Sequence, residues 1–404
     1  MILTVALCCL VAMMEGVDLQ APGLTVPALG ALFHMSPGDK GLFLSMSTFG
    51  LMAGAAIGGW LSDRVGRKAV LVVSAGLFGI FTVATAFSTS AEMLMIMRLL
   101  TGLGLGGALP NVVALTSETV GAGRKHTAIG ILYACMPTGG GAASLLSAVL
   151  PSSQWQAVYL LGGIGPLILV PLLIFVLPNR KPAPEAAQAR GPLLQALFGG
   201  GRAANTLLIW LAFFTSLLIM YILLGWTTTL MLSRGLSHAE ASTVQIWFNW
   251  VGALGSALTG WLLDRGRRPI TTVAAYVLTI AALAYLAVAP GQLAASIFAG
   301  AAIGATISGV QAVLYSLAPS CYPTAVRGTG VGCAVAMGRF GSAVGPILAG
   351  YLLGAGRSPS QVVMSLVPIL LVSAVACVIV SLRAASKSQA PDAPAGELQP
   401  APVA

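Results

Sequence analysis

The chain has 404 residues, 57% of them hydrophobic and 8% charged, with a formal net charge of +9. Soluble domains carry about 25% charged residues, so this composition excludes a water-covered globular surface and calls for a lipid-covered one. The positive balance does not point to nucleic acid, because the basic residues fall in short clusters between apolar runs, which is the orientation signal of a membrane protein.

Apolar stretches of about 18 residues or more, long enough to cross a bilayer, recur from end to end. They predict twelve spans, near 2–29, 40–61, 69–88, 92–116, 127–149, 155–177, 205–231, 239–262, 270–289, 292–318, 327–354 and 360–382. The first reads as a span rather than a signal peptide. No basic segment precedes it, and Glu15 and Asp18 stand where a small-residue cleavage site would fall. Because the chain begins inside this span, a few N-terminal residues are expected to be missing. A Pro- and Ala-rich stretch at 178–204, with Arg180, Lys181, Pro182, Pro184 and Arg190, separates the sixth span from the seventh. It divides the chain into an N-terminal half, 1–177, and a C-terminal half, 205–383. The Pro-, Ala- and Gln-rich tail, 384–404, is expected to be a disordered cytoplasmic extension.

With the N-terminus in the cytoplasm, Lys40, Arg234 and Arg357 fall outside and Arg98 and Arg339 fall within spans. The remaining fifteen of the 20 Lys and Arg residues face the cytoplasm. This asymmetry places both termini inside. The halves also repeat. Gly59-Trp60-Leu61-Ser62-Asp63-Arg64 follows the second span and Gly260-Trp261-Leu262-Leu263-Asp264-Arg265 follows the eighth, an offset of 201 residues. Two parallel six-helix halves are a known architecture of secondary transporters. The expected fold is therefore all-α, with twelve transmembrane helices in two pseudo-repeated halves.

Enzyme chemistry finds no support. The six cysteines form no CxxC pair, the three histidines have no metal spacing, and no Ser/His/Asp arrangement or nucleotide motif is present. Glycine runs such as Gly102–Gly107 follow no strand and precede no Gly-Lys-Ser, so they serve close helix packing rather than phosphate binding. No metal or cofactor is called for.

The chemistry lies in four ionisable residues inside the spans: Glu15, Asp18, Arg98 and Arg339. Charges at bilayer depth are costly and mark transport pathways. At the 201-residue offset their counterparts are Ser216, Ile219, Ala299 and Thr138, so none belongs to the shared scaffold. Glu15 and Asp18, three apart, share a helix face. Two carboxylates on one low-dielectric face do not both ionise cheaply, which suits a proton carrier. Arg98 lies at a depth where it can meet Asp18, and the planar guanidinium holds carboxylates bidentately. Arg98 and Arg339 come from opposite halves and can both face a central cavity. Asn111, Gln311, Tyr133, Trp226 and Tyr315 are candidate lining groups, with ordinary packing as the alternative for the aromatics. At the cytoplasmic end, Gly59 permits close helix approach and Asp63 can face the start of the eleventh span. Arg64, Arg67 and Lys68 can pair with Glu118.

Gly59-x-x-x-Asp63-Arg64-x-Gly66-Arg67-Lys68, its reduced copy from Gly260 to Arg268, and Arg98-x-x-x-Gly102-x-Gly104-x-Gly106 together resemble the signature motifs of the major facilitator superfamily. Glu15-Gly16-Val17-Asp18, Tyr322–Gly330 and Gly338-Arg339-Phe340-Gly341 resemble its aromatic acid:proton symporter family. Within that family the chain is most similar to bacterial transporters of 3-(3-hydroxyphenyl)propionate, through Met14–Gln20, Ala108–Asn111 and Val313–Pro319. Many members have Asp where Glu15 stands. The resemblance implies proton-coupled uptake of an aromatic carboxylate by alternating access, in a monomer in the inner membrane of a bacterium. It also implies that Gly59, Asp63, Arg64, Arg67, Glu118, Asp264, Arg265 and Arg327 form a latch for the outward-open state. A drug/proton antiporter or a sugar porter is the alternative; two intramembrane arginines favour an anion over a cationic drug.

Overall fold

The computed structural model describes residues 2–120, 125–177, 193–265, 268–323 and 326–389. The side chain of Asp63 and most of the 178–204 linker lie outside the described residues, as does the tail from 390 onwards. Among the described residues there are thirteen α-helices: α1 (Ile2–Leu32), α2 (Pro37–Val65), α3 (Arg67–Thr85), α4 (Ala91–Thr119), α5 (Lys125–Val149), α6 (Trp155–Val176), α7 (Leu193–Phe198), α8 (Ala203–Ser233), α9 (His238–Asp264), α10 (Arg268–Val288), α11 (Leu293–Leu317), α12 (Arg327–Gly354) and α13 (Pro359–Gln389). Among the described residues there is no strand. Except for the one-and-a-half-turn α7, these helices match the twelve expected spans one for one. The last helix runs on to Gln389, past the expected end of order at residue 383.

Eleven of the twelve long helices are long and apolar enough to cross a membrane. The exception is α9, and its polarity has a structural cause. It carries buried Ser242, Gln245 and Asn249, which find protein partners instead of lipid: Ser147 of α5 and Gln20 of α1 in the other half for Ser242 and Asn249, and the Leu224 carbonyl of α8 in its own half for Gln245. Alternating helix direction puts loops 33–36, 86–90, 150–154, 234–237, 289–292 and 355–358 at one end of the bundle, called end I here. The α2–α3 and α9–α10 connections with the basic motifs lie at the other, end II.

The repeat extends beyond the motif that reveals it in the sequence. Ser36 and Asp39 form a capping box at the start of α2, with Asp39 N donating to Ser36 Oγ at 3.2 Å and Ser36 N to Asp39 Oδ2 at 3.0 Å. Ser237 and Glu240, 201 residues on, form the same box at the start of α9. Each box satisfies two orphan donors of its helix. The preceding helices end alike, on His34 (φ 51°) and Gly235 (φ 87°), both in the left-handed region that terminates a helix. At end II the Arg64 guanidinium lies 3.9 Å from the Trp60 ring centroid and that of Arg265 lies 3.6 Å from Trp261.

Glycines set how closely α4 can lie on α2. A Cβ added at Gly102 would strike the Ser47 carbonyl, and one at Gly50 the Leu99 carbonyl. The backbones are therefore in direct contact, one turn from Arg98, which fixes the depth and heading of that side chain. The two halves meet towards end I. There Gly41 packs on Pro346, Ile347 and Gly350, Ser147 Oγ lies 3.0 Å from His238 Nε2 and 3.1 Å from Ser242 Oγ, and Asn249 donates to Gln20 at 3.0 Å.

Candidate functional site

Two arginines organise the interior, in different ways. Arg98 on α4 and Asp18 on α1 are fully buried, and Arg98 Nη1 donates to Asp18 Oδ1 at 2.9 Å. The remaining Arg98 donors are taken by threonines: Nε and Nη2 by Thr85 at 3.3 and 3.1 Å, and Nη2 also by Thr82 at 3.3 Å and Thr101 at 2.8 Å. Thr82 Oγ1 itself donates to Asp18 Oδ1 at 2.7 Å. The Tyr159 ring of α6 covers the guanidinium, 5.0 Å from centroid to Cζ, and its hydroxyl lies 2.7 Å from Thr25 Oγ1. Four helices of the N-terminal half thus close around one neutralised pair. Asp18 Oδ2 has no hydrogen-bond partner among the described residues, so one carboxylate oxygen is left over.

Among the described residues no carboxylate is bonded to Arg339 on α12. It is partly buried, and its Nη1 donates to the neutral Tyr221 hydroxyl of α8 at 2.8 Å. Its electrostatic neighbours are Tyr221, Tyr315, Glu15 and Tyr133. Glu15, 1% exposed, comes from the other half, and neither of its oxygens has a hydrogen-bond partner among the described residues. It interacts with Arg339 and with Asp18. Tyr133 of α5 and Tyr315 of α11 face each other across the boundary between halves with centroids 6.3 Å apart, and Phe213 meets Tyr315 edge-on at 5.2 Å. Tyr133 is 43% and Tyr315 37% exposed although both stand between the halves. Their faces are therefore accessible between the halves, on the end II side of the Gln20–Asn249 contact.

Gln311 of α11 donates through Nε2 to Ser216 Oγ of α8 at 2.7 Å, and Gln311 Oε1 is left without a partner. The structure thus brings Glu15, Arg339, Tyr133 and Tyr315 together, with Gln311 one helical turn from Tyr315. Two sequence candidates stand apart. Asn111 Nδ2 donates to Gly107 O of its own helix at 2.8 Å. Trp226 donates to the Pro346 carbonyl at 3.2 Å and lies in an apolar cleft with Ile222, Val362 and Val363. The Thr82, Thr85, Thr101 and Tyr159 shell around Arg98 and the Tyr221 partner of Arg339 were not singled out from the sequence. Only the three-residue spacing of Thr82 and Thr85 could have signalled the first, and nothing signals the second.

At end II, Arg67 pairs with Glu118, linking the α3 start to the α4 end. Lys68 Nζ donates to the Leu177 carbonyl at the α6 end at 2.7 Å. Arg64 and Arg265 lie on tryptophans of their own helices, and Asp264 and Arg327 are exposed. Among the described residues no group of three or more His, Cys, Asp or Glu could hold a metal.

The profile of the Major Facilitator Superfamily matches residues 8–319 and 209–404. The chain belongs to the major facilitator superfamily. As a member of that superfamily it is a transporter and not an enzyme. Its relatives include the 3-(3-hydroxy-phenyl)propionate transporter of Escherichia coli strain K12, 39% identical over 383 residues, or 95% of this chain and 94% of that one. The 4-hydroxybenzoate transporter PcaK of Pseudomonas aeruginosa is 33% identical, over 90% of this chain and 88% of its own. Among solved structures, a bacterial homologue of the human lysosomal transporter Spinster, in an inward-facing and unoccupied conformation, superposes with a TM-score of 0.73 at 17% identity. It covers 96% of this chain and 98% of its own. A D-xylose-proton symporter superposes with a TM-score of 0.72 at 19% identity, over 94% and 96%. At such identities the likeness speaks for the major facilitator fold alone.

Proposed function

We propose that this major facilitator protein takes up an aromatic carboxylate together with protons, across the cytoplasmic membrane of a bacterium. The observation that carries the reading is the state of Arg339. Arg98 is already neutralised by Asp18, whereas Arg339 faces the other half with a neutral phenol as its bonded partner and aromatic rings around it. A cation so placed wants a carboxylate, and the Tyr133 and Tyr315 rings supply a flat apolar wall beside it. Relatives named for hydroxyphenylpropionate and hydroxybenzoate transport support the same substrate class.

Glu15 and Asp18 carry the protons in this reading. They are buried carboxylates on one face of α1, and each has at least one oxygen without a hydrogen-bond partner among the described residues. The halves 1–177 and 205–383 rock about the site. The basic loops at end II orient the bundle with that end in the cytoplasm, so contacts at end I seal the outside and the site opens inward. The cluster of Gly59, Asp63, Arg64, Arg67, Glu118, Asp264, Arg265 and Arg327 acts as the latch of the opposite state.

A binding titration on purified protein compares an arylpropionate with its neutral amide. Losing one partner of a buried charged contact costs about 2–5 kcal/mol, so the amide is expected to bind more than tenfold more weakly. Equal affinities would remove the carboxylate–arginine contact and overturn the reading.

A further inference from the structure

Gln311 and Ser216 hold a polar atom that the transport scheme above does not use. Both are more than nine-tenths buried, and their 2.7 Å hydrogen bond leaves Gln311 Oε1 unpartnered. The amide could be turned about, and the conclusion would survive: Ser216 can accept from one amide atom or donate to the other, and in either orientation one amide atom is orphaned. Burying such a group without a partner is unfavourable, and the residues carry no role in the repeat scaffold. At the 201-residue offset Gln311 corresponds to Pro110, and Ser216 to Glu15, the residue of the other half that interacts with Arg339.

Position narrows what can fill the vacancy. Gln311 is one turn from Tyr315 on α11, and Ser216 is one turn from Phe213 on α8. Tyr315 and Phe213 are themselves in edge contact, so the amide lies one layer deeper than the aromatic wall. Tyr221, which holds Arg339, is five residues further along α8, a rise of about 7.5 Å. That backbone rise is comparable with the length of a substituted benzene ring, so an aromatic acid with its anionic end at Arg339 and a polar substituent towards the amide is of matching size.

We infer that the Gln311–Ser216 pair binds a ring hydroxyl of the substrate, and that it selects hydroxylated over unsubstituted aromatic acids. A phenolic hydroxyl both donates and accepts, so it satisfies whichever amide atom is free. The inference rests on the aromatic-acid reading. A site built to bond a hydroxyl rejects the analogue that lacks it, because its own buried polar groups are then left unpaired.

The test measures binding of 3-(3-hydroxyphenyl)propionate and 3-phenylpropionate to the purified full-length protein, unmodified and as Gln311→Leu. The unmodified protein is expected to prefer the hydroxylated acid on the order of tenfold, and Gln311→Leu to shrink that ratio towards one. Ser216→Ala, a smaller change, repeats the ratio measurement if Gln311→Leu does not fold. Equal affinities in the unmodified protein overturn the inference and leave the aromatic-acid reading in place. A preference that survives both substitutions overturns the assignment to this pair. Failure of the unmodified protein to bind either acid overturns the aromatic-acid reading, and this inference with it.

Discussion

Removing the Asp18–Arg98 pair in two ways separates what it does for folding from what it does for transport. Asp18→Leu alone leaves a fully buried guanidinium with only threonine hydroxyls, and Arg98→Met alone leaves a buried carboxylate with one threonine donor. Breaking a buried pair from one side costs about 3–5 kcal/mol. Additive effects would put the double variant about 6–10 kcal/mol down. The surroundings argue against additivity. Thr85 and Thr101 already donate to the Phe81 and Met97 carbonyls of their own helices, so they are not orphaned when Arg98 goes. The C-terminal half holds apolar Ile219 and Ala299 at the equivalent places, both fully buried. Replacing a whole buried pair by apolar groups of similar volume is often neutral, so Asp18→Leu/Arg98→Met is expected within about 2 kcal/mol of the unmodified protein. Thermal unfolding in detergent reads stability, and gradient-driven uptake into proteoliposomes reads function. The expected result is that the double variant regains stability and regains no transport. A double variant as unstable as the sum of the singles would make the pair scaffold; one that transports would remove it from the mechanism.

Glu15→Gln is expected to abolish uphill uptake driven by a pH gradient while exchange of labelled for unlabelled substrate persists; concentrative uptake at the normal rate would refute the proton role. Ser147→Cys with Ser242→Cys places two thiols where hydroxyl oxygens lie 3.1 Å apart across the halves. Oxidation should stop uptake and a reductant restore it, and full activity of the cross-linked protein would show that end I need not open. Gly102→Ala drives a Cβ into the Ser47 carbonyl, so α4 must move off α2 and carry Arg98 with it. Loss of both stability and transport is expected, and unchanged unfolding and uptake would contradict the close packing.

The fold was legible because the bilayer leaves few choices. Apolar length located all twelve long helices, and the Trp60–Arg64 and Trp261–Arg265 copies disclosed the repeat. The polarity of α9 was not anticipated as a feature of the interface, since Ser242 and Asn249 read alike whether they face lipid, water or another half. Asp18 meeting Arg98 was legible from helix depth, because a charge inside a membrane has few places to go. The partners of Arg339 were not, since Tyr221 and Tyr315 look like any other ring in an apolar helix. Asn111 and Trp226 show the converse. Asn111 bonds the Gly107 carbonyl of its own helix and Trp226 the Pro346 carbonyl, contacts that their residue types alone do not foretell.

The two arginines differ in where their negative neighbours reside. Asp18 and Arg98 belong to the same half, so they travel together as a dipole, and a rigid rotation of that half displaces no net charge from this pair. Glu15 and Arg339 belong to different halves. Any rotation that parts the halves does electrical work on that pair if Glu15 is ionised, and much less if Glu15 is protonated. On the proposed proton-coupled, rocking-halves reading, parting this seam is cheap only when a proton has quenched one side or a substrate anion has quenched the other. Coupling of this kind needs no signal relayed through the protein, because the two ions that matter sit on opposite sides of the surface that moves.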